Sequence, residues 1–265
     1  MSKSIVITGA SKRIGRASAD ALFEQGWSVI GVARRSPRCF SGVFIEADLA
    51  DENQTQAVAK DLGARGNMLG IVNNVGLAKQ ETFDDVQPNV FTAIIDLNVR
   101  PALQLTQALL PGMRSARFGR IINVTSLVTR GFAFRSSYAA AKAALESLTR
   151  TIAVELAADG ITANAIAQGP TETELFRANN PPGSKGEARY LRSVPMRRFA
   201  QPEEIAAAIA FLAGEEAAFI TGQTLFVMEV QAWAVSRTRY PRSGFLDCTS
   251  KPFSDCLQVV RSLNP

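Results

Sequence analysis

The chain has 265 residues, of which 46% are apolar and 20% are charged, and its formal net charge is +5. This composition is ordinary for a globular protein, and no stretch approaches the roughly 20 apolar residues that span a bilayer, so a membrane protein is not expected. The basic residues are scattered along the chain, which argues against nucleic-acid binding. The three cysteines lack metal-ligand spacing and histidine is absent, which argues against a metal site. Without histidine, any acid/base chemistry must use Tyr, Lys, Asp or Glu.

Short β-branched runs alternate with longer segments of helical periodicity along the chain. This alternation predicts an α/β fold with a doubly wound parallel sheet, Rossmann-like and three-layered as α/β/α. The predicted strands are Ile5–Thr8, Ser28–Val32, Val43–Glu46, Gly70–Asn73, Arg120–Thr125, Thr162–Ile166 and Thr224–Val227. The clearest predicted helices are Ile14–Gln25, Val90–Met113, Ser137–Ala158 and Pro202–Ala213. We expect one domain over residues 1–227, and a cytoplasmic location because the N-terminus enters the first strand without an apolar signal segment.

The first predicted strand ends in a glycine-containing turn, Thr8–Gly15, and a helical pattern begins at once. Glycines at such a turn let the main chain approach a pyrophosphate, whose charge is stabilised by the helix N-terminus. A purely structural tight turn is the alternative. The position of the turn after the first strand of an alternating pattern favours dinucleotide binding.

The second predicted strand is followed by two basic residues, Arg34 and Arg35. NAD-binding folds usually place an acidic residue here, where it holds the ribose hydroxyl. A guanidinium would instead pair with the 2′-phosphate of NADP(H), and Lys12 and Arg13 in the turn would add positive charge. We therefore expect NADP(H) as the cofactor. The alternative is that these basic residues form a solvated surface edge and bind no phosphate.

Tyr138 and Lys142 lie four residues apart at the start of a predicted helix, so their side chains project from one face. A nearby ammonium favours the phenolate, and we therefore expect a lowered Tyr138 pKa and an acid/base role near neutrality. By itself this spacing is frequent by chance. Ser126 adds a hydroxyl at the C-terminal end of the strand Arg120–Thr125, the edge where open α/β sheets bind ligands.

These motifs resemble, in type and order, those of the short-chain dehydrogenase/reductase family, and the resemblance runs from about Ser4 to Val227. The residues that carry it are Thr8–Gly15, Asp48-Leu49, Asn73-Asn74-Val75-Gly76, Asn98, Ser126, Tyr138, Lys142 and Gly169–Thr173. The general look is that of the 3-oxoacyl carrier-protein reductases. The resemblance implies an NADP(H)-dependent oxidoreductase that acts on a small-molecule carbonyl or alcohol substrate.

The same resemblance implies a role for each matched residue. Tyr138 would exchange the proton of the substrate hydroxyl, Ser126 would orient the carbonyl, and Lys142 would bind the nicotinamide ribose. Asn98 would hold a water that links Lys142 to solvent. The other implied cofactor contacts are Gly9, Ser11, Lys12, Arg13, Ile14 and Gly15 in the turn, Arg34, Asp48 and Leu49 at the adenine, Asn74, Val75 and Gly76 at the adenine ribose, Gly169, and Thr171 and Thr173 at the carboxamide.

The chain departs from the family pattern at two positions. Arg13 replaces the second glycine of the turn, as in pteridine-reductase-like members, and the expected Pro-Gly pair reads Gln168-Gly169-Pro170. Neither change removes a reacting group. The following segment, Phe176–Ala200, interrupts the strand and helix alternation and is either a flap over the site or a plain surface loop.

The sequence leaves the substrate open. Relatives that dock an acidic acyl carrier protein use two basic residues, and Arg117 matches the first while Asp159 stands at the second, which favours a free small carbonyl compound. Phe132 and Phe134 either form an apolar wall of the substrate pocket or pack beneath their loop. A function of another class is a catalytically silent NADP(H)-binding sensor or structural partner.

The chain after Val227 does not follow the family. The resemblance predicts Asp-Gly-Gly and a short apolar end, whereas the chain continues for residues 228–265. A back-translation of Met228–Ala234, shifted by one base, reads GAT GGA GGT GCA AGC CTG GGC and encodes Asp-Gly-Gly-Ala-Ser-Leu-Gly. Our hypothesis is a single-base insertion or deletion near codon 228, with a genuine extension as the alternative. Relatives use the short end in a subunit interface, so we expect a homo-oligomer, tetramer or dimer, weakened by this tail.

Overall fold

Seven parallel strands form one sheet in the computed structural model, which describes residues 3–172, 177, 181–185, 187–188, 191, 194 and 196–228. The strands are β1 (Ser4–Thr8), β2 (Ser28–Ala33), β3 (Val43–Glu46), β4 (Met68–Asn73), β5 (Gly119–Ser126), β6 (Ile161–Gln168) and β7 (Thr224–Val227). Their order across the sheet is β3-β2-β1-β4-β5-β6-β7, and all neighbouring pairs are parallel. The doubly wound sheet and the seven predicted strands are confirmed.

Helices follow most of these strands. In the described part of the chain the α-helices that span more than two turns are α1 (Arg13–Glu24), α2 (Glu52–Ala64), α3 (Pro88–Ala116), α4 (Ser136–Leu156) and α5 (Pro202–Ala213). The four predicted helices are confirmed with shifted ends, and α2 is an addition. Asp51 caps α2, because its side chain accepts a hydrogen bond from the Gln54 main-chain N–H at 3.0 Å and so satisfies one of the free donors of the first turn.

Apolar side chains cover both faces of the sheet. On one face, Leu22 of α1 and Ile209 of α5 belong to a buried cluster that includes strand residues. On the other face, Leu105 of α3 and Leu156 of α4 belong to a second cluster. Each fully buried side chain of this size contributes about 1.5–3 kcal/mol, so the two layers supply much of the driving force for folding. This confirms the predicted three-layer arrangement.

The direction in which strands are added to the sheet reverses between β1 and β4, which are neighbours in the sheet. Open α/β sheets bind ligands outside the carboxyl ends of their strands at such a switch point. The segments after β1, β4 and β5 therefore meet at one edge. This edge brings together the turn Thr8–Gly15, the segment Asn74–Gly76 and Ser126.

Among the described residues, no helix is both long enough and apolar enough to cross a membrane. Thr173, residues 229–265 and part of the segment Phe176–Ala200 lie outside the described part of the chain. The sequence-based expectations for them stay predictions.

Candidate active site

The turn between β1 and α1 requires glycine at two positions. Gly9 has a φ of 67°, in the left-handed region that side chains disfavour. A Cβ on Gly15 would lie 2.3 Å from the Gly9 carbonyl oxygen, a main-chain atom that cannot move aside. The two glycines therefore make a close turn at the N-terminus of α1, where main-chain N–H groups and the helix dipole favour an anion.

Asn74 ties this turn to the end of β4. Its main-chain N–H donates to Thr8 Oγ1 at 2.9 Å, and its Nδ2 donates to the Thr8 carbonyl oxygen at 2.9 Å. The Val75 N–H donates to the same buried Thr8 hydroxyl at 3.0 Å. Asn74 and Thr8 thus hold the two loops together, a positioning role that the sequence did not indicate for either residue.

Basic side chains surround the turn. Lys12 is exposed immediately before α1, while Ser11 is half-buried and Ile14 is buried. Arg13 has a φ of 55°, so it adopts a left-handed conformation that favours glycine. Arg34 is exposed directly after β2, the strand paired with β1. Positive charge is therefore present on both sides of the predicted phosphate position.

Asp48 and Leu49 follow β3. The Asp48 side chain accepts a hydrogen bond from the Ala50 N–H at 3.0 Å, and its main-chain N–H donates to Gln54 Oε1 at 2.9 Å. The Leu49 side chain is buried in the core. Both residues therefore order the start of α2, and their adenine contacts stay predictions.

Ser126 and Tyr138 meet at the carboxyl end of β5. Ser126 ends the strand and is buried, and the half-buried Tyr138 is in the first turn of α4. Desolvation raises the pKa of Tyr138 to about 12, although a hydrogen bond with Ser126 and the charge of Arg135 act in the other direction. The phenol is therefore neutral near pH 7 and can donate a proton.

Lys142 lies one helical turn after Tyr138 and is buried. Its Nζ donates to the Val124 carbonyl oxygen at 2.8 Å and lies 5.6 Å from the Tyr138 ring centroid. Burial lowers the pKa of Lys142 to about 8. The expectation of a lowered Tyr138 pKa is wrong for this structure, because desolvation of the phenol dominates and Lys142 is not among the groups that lower its pKa.

Asn98 is buried in α3, next to Lys142. Its Nδ2 donates to the carbonyl oxygens of Leu77 at 2.9 Å and Ile94 at 2.8 Å. A Cβ on Gly76 would lie 2.5 Å from Asn98 Oδ1 and 3.3 Å from Lys142 Nζ, so both polar atoms border Gly76. Within the described residues Asn98 Oδ1 has no hydrogen-bond partner. A buried acceptor beside an ammonium fits the predicted proton-relay position.

Gly169 and Thr171 follow β6. Thr171 is buried, its hydroxyl donates to the Gly169 carbonyl oxygen at 3.0 Å, and its main chain bridges to Ala200. A cavity of about 210 Å³ lies at this segment and is bordered by Val227 and Met228. A larger open depression between α2 and α3 contains none of the predicted site residues.

The structure excludes one of the two sequence-based interpretations of Phe134, and it shows a contact between Ser137 of α4 and Glu81 that the sequence analysis missed. Phe134 is 44% exposed, so it does not pack beneath the loop, and Phe132 is half-buried. Ser137 donates its hydroxyl hydrogen bond to Glu81, and both residues are buried. The position of Ser137 next to Tyr138 is a usable sequence signal. Glu81 has none, because its neighbours are exposed polar residues.

Known proteins match the chain over the same residues that build this site. The family model described as enoyl-(acyl carrier protein) reductase matches residues 9–228. A 3-oxoacyl-(acyl-carrier-protein) reductase from Vibrio harveyi is 37% identical over 235 residues, which cover 85% of this chain and 95% of the relative.

Solved structures of related proteins also match most of this chain. A short-chain dehydrogenase/reductase family protein superposes with a TM-score of 0.75 at 35% identity, covering 85% of this chain and 95% of that one. A protein assigned as an NAD(P)-dependent gluconate 5-dehydrogenase from Beutenbergia cavernae, with NADP bound at low occupancy, superposes with a TM-score of 0.81 at 29% identity. That match covers 85% of this chain and 95% of the neighbour.

Proposed function

The chain belongs to the short-chain dehydrogenase/reductase family and is an oxidoreductase, and from this premise we propose that it transfers hydride between NADPH and a small carbonyl or secondary alcohol compound. In this proposal Tyr138 is the general acid/base, Ser126 orients the reacting oxygen, and Lys142 and Asn98 support proton transfer. The substrate is a free small molecule rather than an acyl group on a carrier protein.

The observation that carries the proposal is the grouping of four polar side chains at one sheet edge. Ser126 and Tyr138 interact with each other, and Lys142 Nζ and Asn98 Oδ1 both border Gly76. These residues come from β5, α3 and α4, so only the fold brings them together. Buried polar groups are costly unless they have partners or a function, and an unpartnered acceptor beside an ammonium favours the functional explanation.

The residues around the β1–α1 turn fit a phosphorylated dinucleotide. Gly9 and Gly15 leave the turn without a Cβ at the two positions where the main chain is closest packed, and Arg34 and Lys12 are exposed beside it. A guanidinium pairs with a phosphate through two parallel hydrogen bonds, whereas the ribose hydroxyl of NADH offers no charge to pair with. NADPH, when bound, supplies the hydride. A structural neighbour with bound NADP supports this choice.

The protein's own groups supply the proton and the stabilising hydrogen bonds. Tyr138 is a neutral phenol near pH 7, so it can protonate a carbonyl oxygen as negative charge develops there. Ser126 Oγ accepts from the Val128 N–H at 3.4 Å, which leaves its hydroxyl proton to donate to the same oxygen. Lys142, whose Nζ lies 5.6 Å from the Tyr138 ring centroid, would help to return the proton that Tyr138 has given up.

The charge distribution near the C-terminal end of α3 supports a free substrate. Asp159 accepts a hydrogen bond from Arg114 Nε at 3.0 Å and lies 4.0 Å from Arg117. A carboxylate at the position of a docking cation repels an acidic carrier protein and partly neutralises the cation that remains. The carrier-protein activity named for the Vibrio relative is therefore not carried over to this chain.

A panel assay tests the proposal. NADPH absorbance is followed with ketones, aldehydes, quinones and 3-oxoacyl thioesters, the last both free and attached to acyl carrier protein. We expect NADPH oxidation with at least one free carbonyl compound and no gain in kcat/KM when the same acyl group is attached to the carrier protein. Tight NADPH binding with no turnover of any compound would instead support the silent sensor.

A further inference from the structure

Glu81 is a buried carboxylate that the proposed reaction does not use. It lies in the loop between β4 and α3, and its side chain is only 3% exposed. Carboxylates are seldom buried unless they are paired. One oxygen of Glu81 accepts the hydroxyl hydrogen bond of Ser137, and the other lies 3.8 Å from Lys79 Nζ without a hydrogen-bond partner among the described residues.

Glu81 also holds the segment before α4 through its main chain. The Glu81 N–H donates to the Phe134 carbonyl oxygen at 3.2 Å. Phe134 has a φ of 65°, a left-handed conformation that a bulky aromatic residue rarely adopts and that persists only where the surroundings enforce it. Two separate contacts from one residue therefore fix the turn that leads into α4.

The partner of Glu81 adjoins the proposed catalytic tyrosine. Ser137 is fully buried and directly precedes Tyr138 in the first turn of α4. The same loop provides the Leu77 carbonyl oxygen that accepts from Asn98. One loop therefore contacts both Ser137, which precedes Tyr138 in α4, and Asn98 in α3. The position of this loop affects how Tyr138 and Asn98 are placed relative to each other.

We propose that Glu81 is a positioning residue, whose carboxylate fixes Ser137 and the start of α4 and thereby holds the Tyr138 hydroxyl beside Ser126. This inference rests on the proposed function, because only that function gives the position of the Tyr138 hydroxyl a catalytic role. A merely structural anchor would lower stability when removed, but it would not selectively lower kcat. A misplacement of reacting groups lowers kcat even in a fully folded enzyme.

Kinetics of four variants and one control variant test the positioning role, with NADPH and the best substrate of the panel. Glu81→Ala and Ser137→Ala should each lower kcat by about tenfold or more while KM for NADPH changes by less than about twofold. The double variant should be no worse than either single variant, because both remove one interaction. Glu81→Gln keeps an acceptor oxygen and should recover most of kcat. Asp84→Ala, an exposed acidic residue three positions away, is the matched control and should be unaffected.

A spectroscopic readout separates this inference from the proposed function. Tyr190→Phe and Tyr240→Phe leave Tyr138 as the sole tyrosine, and stopped-flow pH jumps then follow its ionisation by absorbance before the protein unfolds. Glu81→Ala should shift the Tyr138 midpoint, because a displaced phenol changes both its burial and its hydrogen bond with Ser126, and Glu81→Gln should not shift it. If the unaltered protein turns over no substrate, the proposed function fails and this titration still decides the inference. An unchanged midpoint, or unchanged kcat in folded Glu81→Ala, would overturn the positioning role.

Discussion

At the residue scale, the proposed preference for NADPH over NADH is assigned to Arg34, the exposed cation after β2. Arg34→Asp places a carboxylate where the 2′-phosphate would lie, so charge-assisted attraction becomes repulsion. We expect the unmodified protein to bind NADPH at least about tenfold tighter than NADH, a difference of about 1.4 kcal/mol, and the variant to lose or invert that preference. Fluorescence titrations with both cofactors measure it.

The control for this change is Lys60→Asp, which alters an exposed cation of α2 by the same charge. It should leave the ratio of the two dissociation constants unchanged. Equal titration curves for NADPH and NADH in the unmodified protein would contradict the assignment of Arg34.

The grouping of Ser126, Tyr138 and Lys142 at one place could be predicted because these residues fall in short motifs. Tyr138 and Lys142 share one face of a helix, and Ser126 ends an apolar strand. The contact of Glu81 could not be predicted, because its partner Ser137 is 56 residues away in the sequence and Glu81 is buried only by the tertiary structure. The direction of the Tyr138 pKa was missed for a similar reason, since desolvation depends on the packed environment and not on the spacing to Lys142.

At the scale of elements, the β1–α1 turn is the most constrained part of the proposed cofactor site. Gly15→Ala adds a Cβ that would lie 2.3 Å from the Gly9 carbonyl oxygen, so the turn must open. We expect NADPH affinity to fall by about tenfold or more, and the melting temperature to fall as well, by about 2–4 °C for each kcal/mol of lost stability. Isothermal titration and calorimetry measure the two effects.

Gly214→Ala is the matched control for the turn. The added Cβ would meet first the flexible end of Glu216, and the residue has a negative φ of −72°. NADPH affinity should therefore be unchanged in this variant. Unchanged affinity in Gly15→Ala as well would mean that the turn does not contact the cofactor.

Strand positions could be predicted better than helix ends. Each strand is a short apolar run bounded by turn residues. However, β4 begins at Met68 because its pairing with β1 starts there, and β6 extends to Gln168 because it pairs on both sides up to that residue. The helix Glu52–Ala64 was not predicted. Its start depends on the Asp51 cap, and its buried face is short.

At the scale of the whole molecule, residues 228–265 remain assigned by hypothesis to a frameshift. The family match ends at residue 228, and the β7 strand that precedes the change keeps its place in the sheet. Gly169 N–H donates to the Val227 carbonyl oxygen at 3.1 Å, and a Cβ on Gly169 would lie 2.6 Å from Met228 Cβ. The change therefore begins beside a segment predicted to hold the cofactor.

Restoring the frame, so that Asp-Gly-Gly-Ala-Ser-Leu-Gly follows Val227, tests this hypothesis. The restored protein should melt at a higher temperature and favour the tetramer, because an added interface stabilises the folded state by mass action. Calorimetry and light scattering measure both. A gene that cannot encode Asp-Gly-Gly in either shifted frame would contradict the hypothesis, as would a protein that unfolds when residues 231–265 are removed.

The central claim is that this protein is an oxidoreductase whose proton is exchanged by Tyr138, and one substitution tests it most directly. Tyr138→Phe removes the hydroxyl and keeps the ring, so NADPH binding should stay within about twofold of the unmodified protein. Turnover of the best panel substrate should fall by about 10²–10⁴-fold, the usual contribution of general acid/base catalysis. Retention of most of the turnover by a folded, NADPH-binding Tyr138→Phe protein would contradict the claim.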